Sequence, residues 1–242
     1  MQIAVVADIH GNLFALERVL EDIRNLNVSK IALLGDLIDY GMQSNEVIEC
    51  LKGADDLDVV CNIWGNHERA IMLGDFTRFS SPRGEVSARH TADMLTDGSR
   101  TYLDSELVHE GICEFELDGL RCLAVHGSLD DNYWKAISPD DLRGDYSGYD
   151  LVLSAHSHYS HFFTKFYEAD DPKMRNKHRV AFVNPGSVGQ PRNHNRNAQY
   201  AVIDTDTGCV MMRSVEYPVE LAMELFDGSV DDFYRSRLDT GV

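Results

Sequence analysis

Apolar and polar positions fall into blocks along the chain, and the blocks carry two periods. Residues 2–7 form a short, almost wholly apolar run that stops abruptly at Asp8, the pattern of a buried strand. Over residues 12–25, Leu13, Leu16, Val19, Leu20 and Ile23 recur at helical spacing, with Glu17, Arg18, Glu21 and Asp22 between them. A second apolar run covers 31–34. Ser44 then stands where it would cap a helix over 45–51. A third strand is predicted over 57–61. Strand and helix alternating in this way predict a βαβ start and a parallel sheet, whose ligands sit beyond the carboxyl ends of the strands.

Beyond residue 68 the pattern loosens. Residues 68–110 read as helix and polar loop, with a helix over 87–95 and Ser81-Pro82-Arg83-Gly84 as punctuation. Two strands, 112–117 and 120–125, flank Asp118-Gly119, a hairpin signal. Further strands are predicted over 150–154, 161–167, 179–183, 200–204 and 210–215, with 168–178 as a solvent loop. Two short helices are expected near 220–226 and 231–238. With neither repeat nor linker in 242 residues, the economical expectation is one domain spanning 1–242.

Composition narrows the function classes. The net charge is −18, with 40 acidic residues against 22 basic ones. A duplex-binding surface needs clustered bases to displace condensed counterions, so stable nucleic-acid binding is not expected. No apolar stretch approaches the length of a membrane span, and the N-terminus has no basic leader, so a cytoplasmic protein without a membrane partner is expected. Cys50, Cys61, Cys113, Cys122 and Cys209 include no C-x-x-C pair and read as reduced core residues.

Chemistry gathers where predicted strands end. Asp8 and His10 follow the first strand; two apart, they would share one face if the strand continued. Asp36 and Asp39 follow the second, Asn66 and His67 the third, His126 the hairpin, and His156 and His158 the strand at 150–154. Each has a bland alternative: Asp8 near a helix cap, Asp36 in a turn, His67 or His126 as a satisfied core histidine. Five coincidences at strand ends are much less probable than one site. Carboxylate, amide and imidazole donors without thiolates suit manganese, iron, zinc, nickel or cobalt, and magnesium less well. The donors exceed what one four-coordinate ion needs, and two ions sharing a bridging carboxylate account for them. Such a pair serves phosphoryl hydrolysis.

The order D-x-H, G-D-x-x-D, G-N-H-E, H-G and H-x-H, from Asp8 to His158, resembles the calcineurin-like metallophosphoesterase superfamily. The segment N-P-G-S-V-G-Q-P-R at 184–192 extends the likeness to most of the chain, and the compact bacterial and archaeal branch of predicted phosphodiesterases is the most similar. The resemblance implies an α/β fold, a four-layer sandwich of two mixed sheets packed face to face and flanked by helices. It implies two divalent transition-metal ions, manganese first among them. Asp8, His10 and His158 would hold one, Asn66, His126 and His156 the other, and Asp36 would bridge. His67 would face the phosphate and either stabilise it or protonate the leaving oxygen, and Asp39 would orient and charge His67. Two departures stand out. Tyr40 occupies the place where protein Ser/Thr phosphatases and symmetrical dinucleoside tetraphosphatases carry a phosphate-gripping arginine. Ala155 replaces the glycine of the usual G-H-T-H.

The partner expected is a small phosphate ester, a diester before a monoester, attacked by the hydroxide bridging the ions. The other reading is a non-catalytic metal-binding scaffold. Arg192 and Arg196 are the candidates for phosphate contact, since a guanidinium fork matches phosphate. Arg69 is a lesser candidate. Phe79, Tyr133 and Trp134 are aromatics that could stack a base or an aryl group, and segment 128–149 could form part of the pocket wall.

Overall fold

The computed structural model describes residues 1–242. The first half runs β1 (Gln2–Val6), α1 (Leu13–Asn25), β2 (Lys30–Leu33), α2 (Ser44–Lys52), β3 (Asp58–Asn62), α3 (Asn66–Leu73), α4 (Pro82–Met94) and α5 (Asp97–Ser105). The second half runs β4 (Ile112–Leu117), β5 (Leu120–Val125), β6 (Leu151–Ser154), β7 (His161–Glu168), β8 (Lys177–Asn184), β9 (Ala198–Asp204), β10 (Cys209–Val215), α6 (Val219–Glu224) and α7 (Asp232–Thr240).

Ten strands divide into two mixed sheets, ordered β10-β9-β1-β2-β3 and β4-β5-β6-β8-β7. In the first, β1, β2 and β3 are parallel and β9 and β10 return antiparallel. In the second, β5, β6 and β8 are parallel, with β4 and β7 antiparallel at the edges. The central strands are buried on both faces, hence their unbroken apolar runs in the sequence. Edge strand β7 instead alternates between half-buried and exposed positions.

Between the sheets lies an apolar layer built from Ile3, Val5, Leu34 and Ile63 on one side and Cys122, Leu153 and Val183 on the other. The outer face of the first sheet packs against the helices, through Leu16, Leu20, Val47, Ile71 and Leu238 among others. The outer face of the second is closed by the irregular segment 128–149. Tyr146 and Ile137 pack there on Val152, Val180 and Phe182. The fourth layer is therefore a long loop, and the flanking helices gather on the first sheet.

Several boundaries moved for identifiable reasons. Asn12 is not helical but caps α1, its side-chain oxygen accepting from Ala15 N–H at 3.1 Å, a device that stabilises a helix by ~1 kcal/mol. Ser44 does not cap α2; it is the first residue of that helix, and its hydroxyl accepts instead from Asp39 N–H at 3.0 Å. Helix α4 begins five residues before the expected helix at 87, because Ser81-Pro82 is a cap followed by proline in the first turn rather than loop punctuation. The expected solvent loop shrinks to 169–176, since β7 and β8 continue as hairpin arms. All five cysteines are free, but Cys209 is exposed rather than a core residue. No helix is long and apolar enough to cross a membrane.

Candidate metal centre

The parallel strands of both sheets point their carboxyl ends at one place, so β1, β2, β3, β5 and β6 deliver their polar termini together. The delivery differs from simple strand alternation. Strand β1 ends at Val6, and both Asp8 (φ 52°) and His10 (φ 49°) lie in the left-handed region. So do Asp36, Asp39, Tyr40, His156 and His158. Each such residue costs roughly 1–2 kcal/mol against right-handed backbone, and concentration of that strain at one place is typical of functional sites.

Neighbouring turns hold one another in this conformation. Asp8 N–H donates to Gly35 O, His10 N–H to Asp36 O and Gly11 N–H to Leu37 O, at 2.9–3.1 Å. From the other side, Gly189 N–H and the Ser187 hydroxyl both donate to Asp8 O, at 3.0 and 2.7 Å. The approach needs glycine: a Cβ on Gly189 would stand 1.8 Å from Ile9 O. A Cβ on Gly65 would likewise stand 2.1 Å from the Asp36 carboxylate.

Four imidazoles converge on two carboxylates. The Nδ1 atoms of His10, His126 and His158 face the carbonyls of Ile38, Leu34 and Gln190, at 3.2, 2.7 and 2.6 Å. A carbonyl only accepts, so each Nδ1 carries a proton and donates it. That tautomer turns each Nε2 inward, with its lone pair free on His10 and His158, as metal-binding histidines require; His126 Nε2 faces Asp36 Oδ2 and would give up its proton to bind a metal. His10 Nε2 and His158 Nε2 then lie 3.2 Å apart as two acceptors. Both oxygens of Asp8 are buried without a hydrogen-bond partner. Nearby, Asn66 Oδ1 is 2.8 Å from His156 Nδ1 and 3.1 Å from His126 Nε2, and Asp36 Oδ2 is 3.3 Å from His126 Nε2. Donor atoms on one cation at metal–nitrogen distances of about 2.1 Å are themselves about 3 Å apart. Facing lone pairs and orphaned carboxylate oxygens are what a cation resolves. The residues fit divalent metal in two groups with one shared member: Asp8, His10, Asp36 and His158; and Asp36, His126 and His156.

Protonation in the cluster follows from burial and charge. Burial pushes Asp8 up to about 8. Burial also lowers His10 and His158 well below the ordinary imidazole value, and His156 to about 3. Burial works to lower His126 too, but the Asp36 carboxylate overrides it and brings the ring up to about 9. Asp36 is the reverse: burial opposes its charge, and the surrounding His126 and His67 hold it well below the carboxylate range.

His67 stands beside this cluster, its Nε2 3.9 Å from Asp36 Oδ2. Its Nδ1 meets Asp39 Oδ2 at 2.6 Å, and its backbone N–H donates to Asp36 Oδ1 at 2.9 Å. The other Asp39 oxygen accepts from Ser87 and Thr91 hydroxyls of α4, at 2.6 and 2.9 Å. Burial would depress His67, but Asp36 and then Asp39 raise it. Glu68 is fully buried and ties the turns together, accepting from Asp36, Leu37 and Gly65 N–H groups at 2.7–2.8 Å.

The floor opens into a cavity of about 480 Å³, walled by Tyr40, Phe79, Trp134 and Arg192 among others. The nine residues singled out at the strand ends therefore lie together, with Arg192 on the cavity wall. Arg196 is not: it is exposed and paired with Glu220 and Asp239, at 3.3 and 3.0 Å, so the structure corrects its assignment to phosphate contact. Arg69 lies over Tyr133 outside the cavity, and the Tyr133 hydroxyl is tied to His109 O. Tyr40, which stands where some relatives carry arginine, stacks on Tyr234 at 4.3 Å and edges against His67. The sequence reading missed Glu68, Ser87, Thr91, Arg83 and Arg237. Of these only Glu68 left a signal, three residues after Gly65 at the head of a helix.

A sequence profile of the calcineurin-like phosphoesterase superfamily domain matches residues 1–208. An uncharacterised protein of Methanocaldococcus jannaschii is 30% identical over 233 residues, covering 92% of this chain and 90% of its own. The fold matches a metallophosphoesterase from Sphaerobacter thermophilus, with a TM-score of 0.74 and 24% identity, over 100% of this chain and 99% of the other. It also matches a hypothetical protein from Pyrococcus horikoshii, with a TM-score of 0.84 and 23% identity, over 100% and 98%. The profile match carries the assignment, the solved structures agree in fold, and the chain belongs to the calcineurin-like phosphoesterase superfamily of phosphoester hydrolases.

Proposed function

We propose that the chain is a binuclear metal-dependent phosphoesterase that prefers phosphodiesters. The observation that carries this reading is the pair of donor groups sharing Asp36, with His67 poised beside the shared carboxylate. Asp8, His10 and His158 would hold one ion, Asn66, His126 and His156 the other, with Asp36 available to both. The ions, manganese first among the candidates, would supply water of lowered pKa and a positive field for the phosphate oxygens.

The chain's own residues do the rest. His67 presents Nε2 to the phosphate and protonates the departing oxygen. Asp39 keeps the opposite nitrogen protonated and the ring fixed, and is itself fixed by Ser87 and Thr91. Arg192 grips a phosphate oxygen; its Nε is buried without a partner on the cavity wall. Preference for a diester rests on the room beyond the floor, where Phe79 and Trp134 can accept a second ester substituent.

The test is hydrolysis of bis(p-nitrophenyl) phosphate beside p-nitrophenyl phosphate, with protein stripped and reloaded with manganese, nickel, zinc or magnesium, and metal content measured. Faster diester cleavage with transition metals, at two ions per chain, is the expected result. Two bound ions without turnover of either ester would overturn the hydrolase reading in favour of a scaffold.

A further inference from the structure

Above the metal floor the cavity wall is cationic. Arg78, Arg83, Arg192 and Arg237 line it, whereas the lining holds one carboxylate, Asp36. This is anomalous in a chain of net charge −18. Many arginines elsewhere find acids, as Arg24 does with Asp56, Arg89 with Glu85 and Arg213 with Asp22, though Arg100 meets only the Ala92 carbonyl. On the wall itself Arg78 is neutralised by Asp131 at 2.6 Å. Arg83 has no such partner. Arg237 donates from Nε to an oxygen of Val242, the last residue, at 2.7 Å, and its two terminal nitrogens have no hydrogen-bond partner.

Arg83 and Arg237 are brought together by one ring. Their guanidinium carbons lie 4.3 and 4.2 Å from the centroid of Phe233, which orients both planes while neutralising neither. Arg83 stands in the first turn of α4 and Arg237 in the last turn of α7, so two separate elements converge. Burial, and then the charge of Arg192, lower Arg237 to about 10. Two guanidiniums held on one ring beside a third arginine cost stability unless an anion meets them.

We infer that Arg83, Arg237 and Phe233 form a second phosphate subsite, and that the substrate is a phosphate ester bearing a further phosphoryl group. The inference rests on the hydrolase reading, which places the reacting phosphate on the floor below Arg192. The second phosphoryl group sits between the two forks; it binds there and does not react. The shared chemistry is a bisphosphorylated small molecule, either a nucleotide or a sugar.

Calorimetry on manganese-loaded protein decides the matter with two ligand pairs. One is adenosine 3′,5′-bisphosphate against adenosine 5′-monophosphate; the other is fructose 1,6-bisphosphate against fructose 6-phosphate. At least a tenfold preference for the bisphosphate is expected in one pair or both, and the favoured pair identifies the source. The Arg83→Gln/Arg237→Gln double variant should collapse that preference to about one; Arg83→Gln alone, which leaves α7 untouched, should reduce it. Melting curves confirm that the variants fold. A wild-type preference below threefold in both pairs overturns the subsite, as does a preference that survives the double variant. Turnover of bis(p-nitrophenyl) phosphate by the same wild-type sample is read separately. Its absence removes the hydrolase reading, and the binding ratios still decide the subsite.

Discussion

The floor and the rim of the cavity are built on opposite plans. The floor is nine polar residues on left-handed or glycine-flanked turns at strand ends, all buried or nearly so, with four of its five histidines oriented by a carbonyl or carboxylate. The rim is arginines and aromatics on helix ends and loops, partly exposed and held by stacking. The floor therefore determines whether chemistry happens, and the rim which ester it happens to. Substitutions on the floor should strike kcat and metal content, and those on the rim should strike KM.

Asp36→Asn presses that division hardest. The amide keeps the shape, and its oxygen can still accept from His67 N–H. It removes the one charge common to both donor groups, the charge that also holds His126 near 9. Loss of several kcal/mol of metal-derived stabilisation predicts a fall in turnover of about 10³-fold or more. Bound metal should drop below two ions per chain while circular dichroism is unchanged. Turnover and metal content both at wild-type levels would dissolve the floor as a unit.

Asp39→Asn tests whether the floor extends to the pair beside the metals. Here metal content should stay at the wild-type level. Turnover should fall roughly 10²-fold, the low end of general-acid contributions, with KM almost unmoved. The pH profile adds a sign. On the proposed reading His67 acts in its protonated form, so activity is lost as pH rises through its pKa. Asp36 and Asp39 raise that pKa against burial. Removing Asp39 lowers it, and the alkaline limb of kcat must move to lower pH. A limb that stays put, or moves up, would assign Asp39 a packing role only.

The same division explains what was legible in the sequence. Floor residues fall in short clusters such as Asp8-Ile9-His10 and Gly65-Asn66-His67, because each strand end contributes one turn. The strands were legible for the same reason, being buried on both faces and bounded by polar turns. The manner of assembly was not. Strand periodicity suggested that Asp8 and His10 share a face, whereas left-handed backbone, braced by turns from β2 and β8, points them inward. Gly65 and Gly189 were visible only as glycines; the space they vacate belongs to Asp36 and Ile9. Rim residues come from α4, from the loop at 128–149 and from α7, a spread of over 100 positions with no local pattern. Arg196 shows the cost: four residues from the rim arginine Arg192, it turns to solvent and pairs with acids. Charge excess concealed Arg83 and Arg237 in the same way, since a chain this acidic gives each arginine many carboxylates to meet.

The mildest test falls on the aromatic side of the rim. Trp134 meets Phe79 edge-on at 5.4 Å, and Phe79 in turn meets His67 at 5.2 Å, so the wall continues from the acid outward. Arg78, pinned by Asp131, lies 5.3 Å over the Trp134 ring. Trp134→Leu keeps an apolar side chain there but removes the flat face. Aromatic stacking contributes about 0.5–1.5 kcal/mol beyond area burial, so KM for bis(p-nitrophenyl) phosphate should rise roughly two- to tenfold with kcat unchanged. The change should be smaller for p-nitrophenyl phosphate, whose single aryl group leaves with the oxygen that His67 protonates. Equal KM shifts for the two esters would mean that the wall meets the leaving group rather than the retained one. A fall in kcat with constant KM would mean that Trp134 acts through Phe79 on the His67 ring and belongs with the floor.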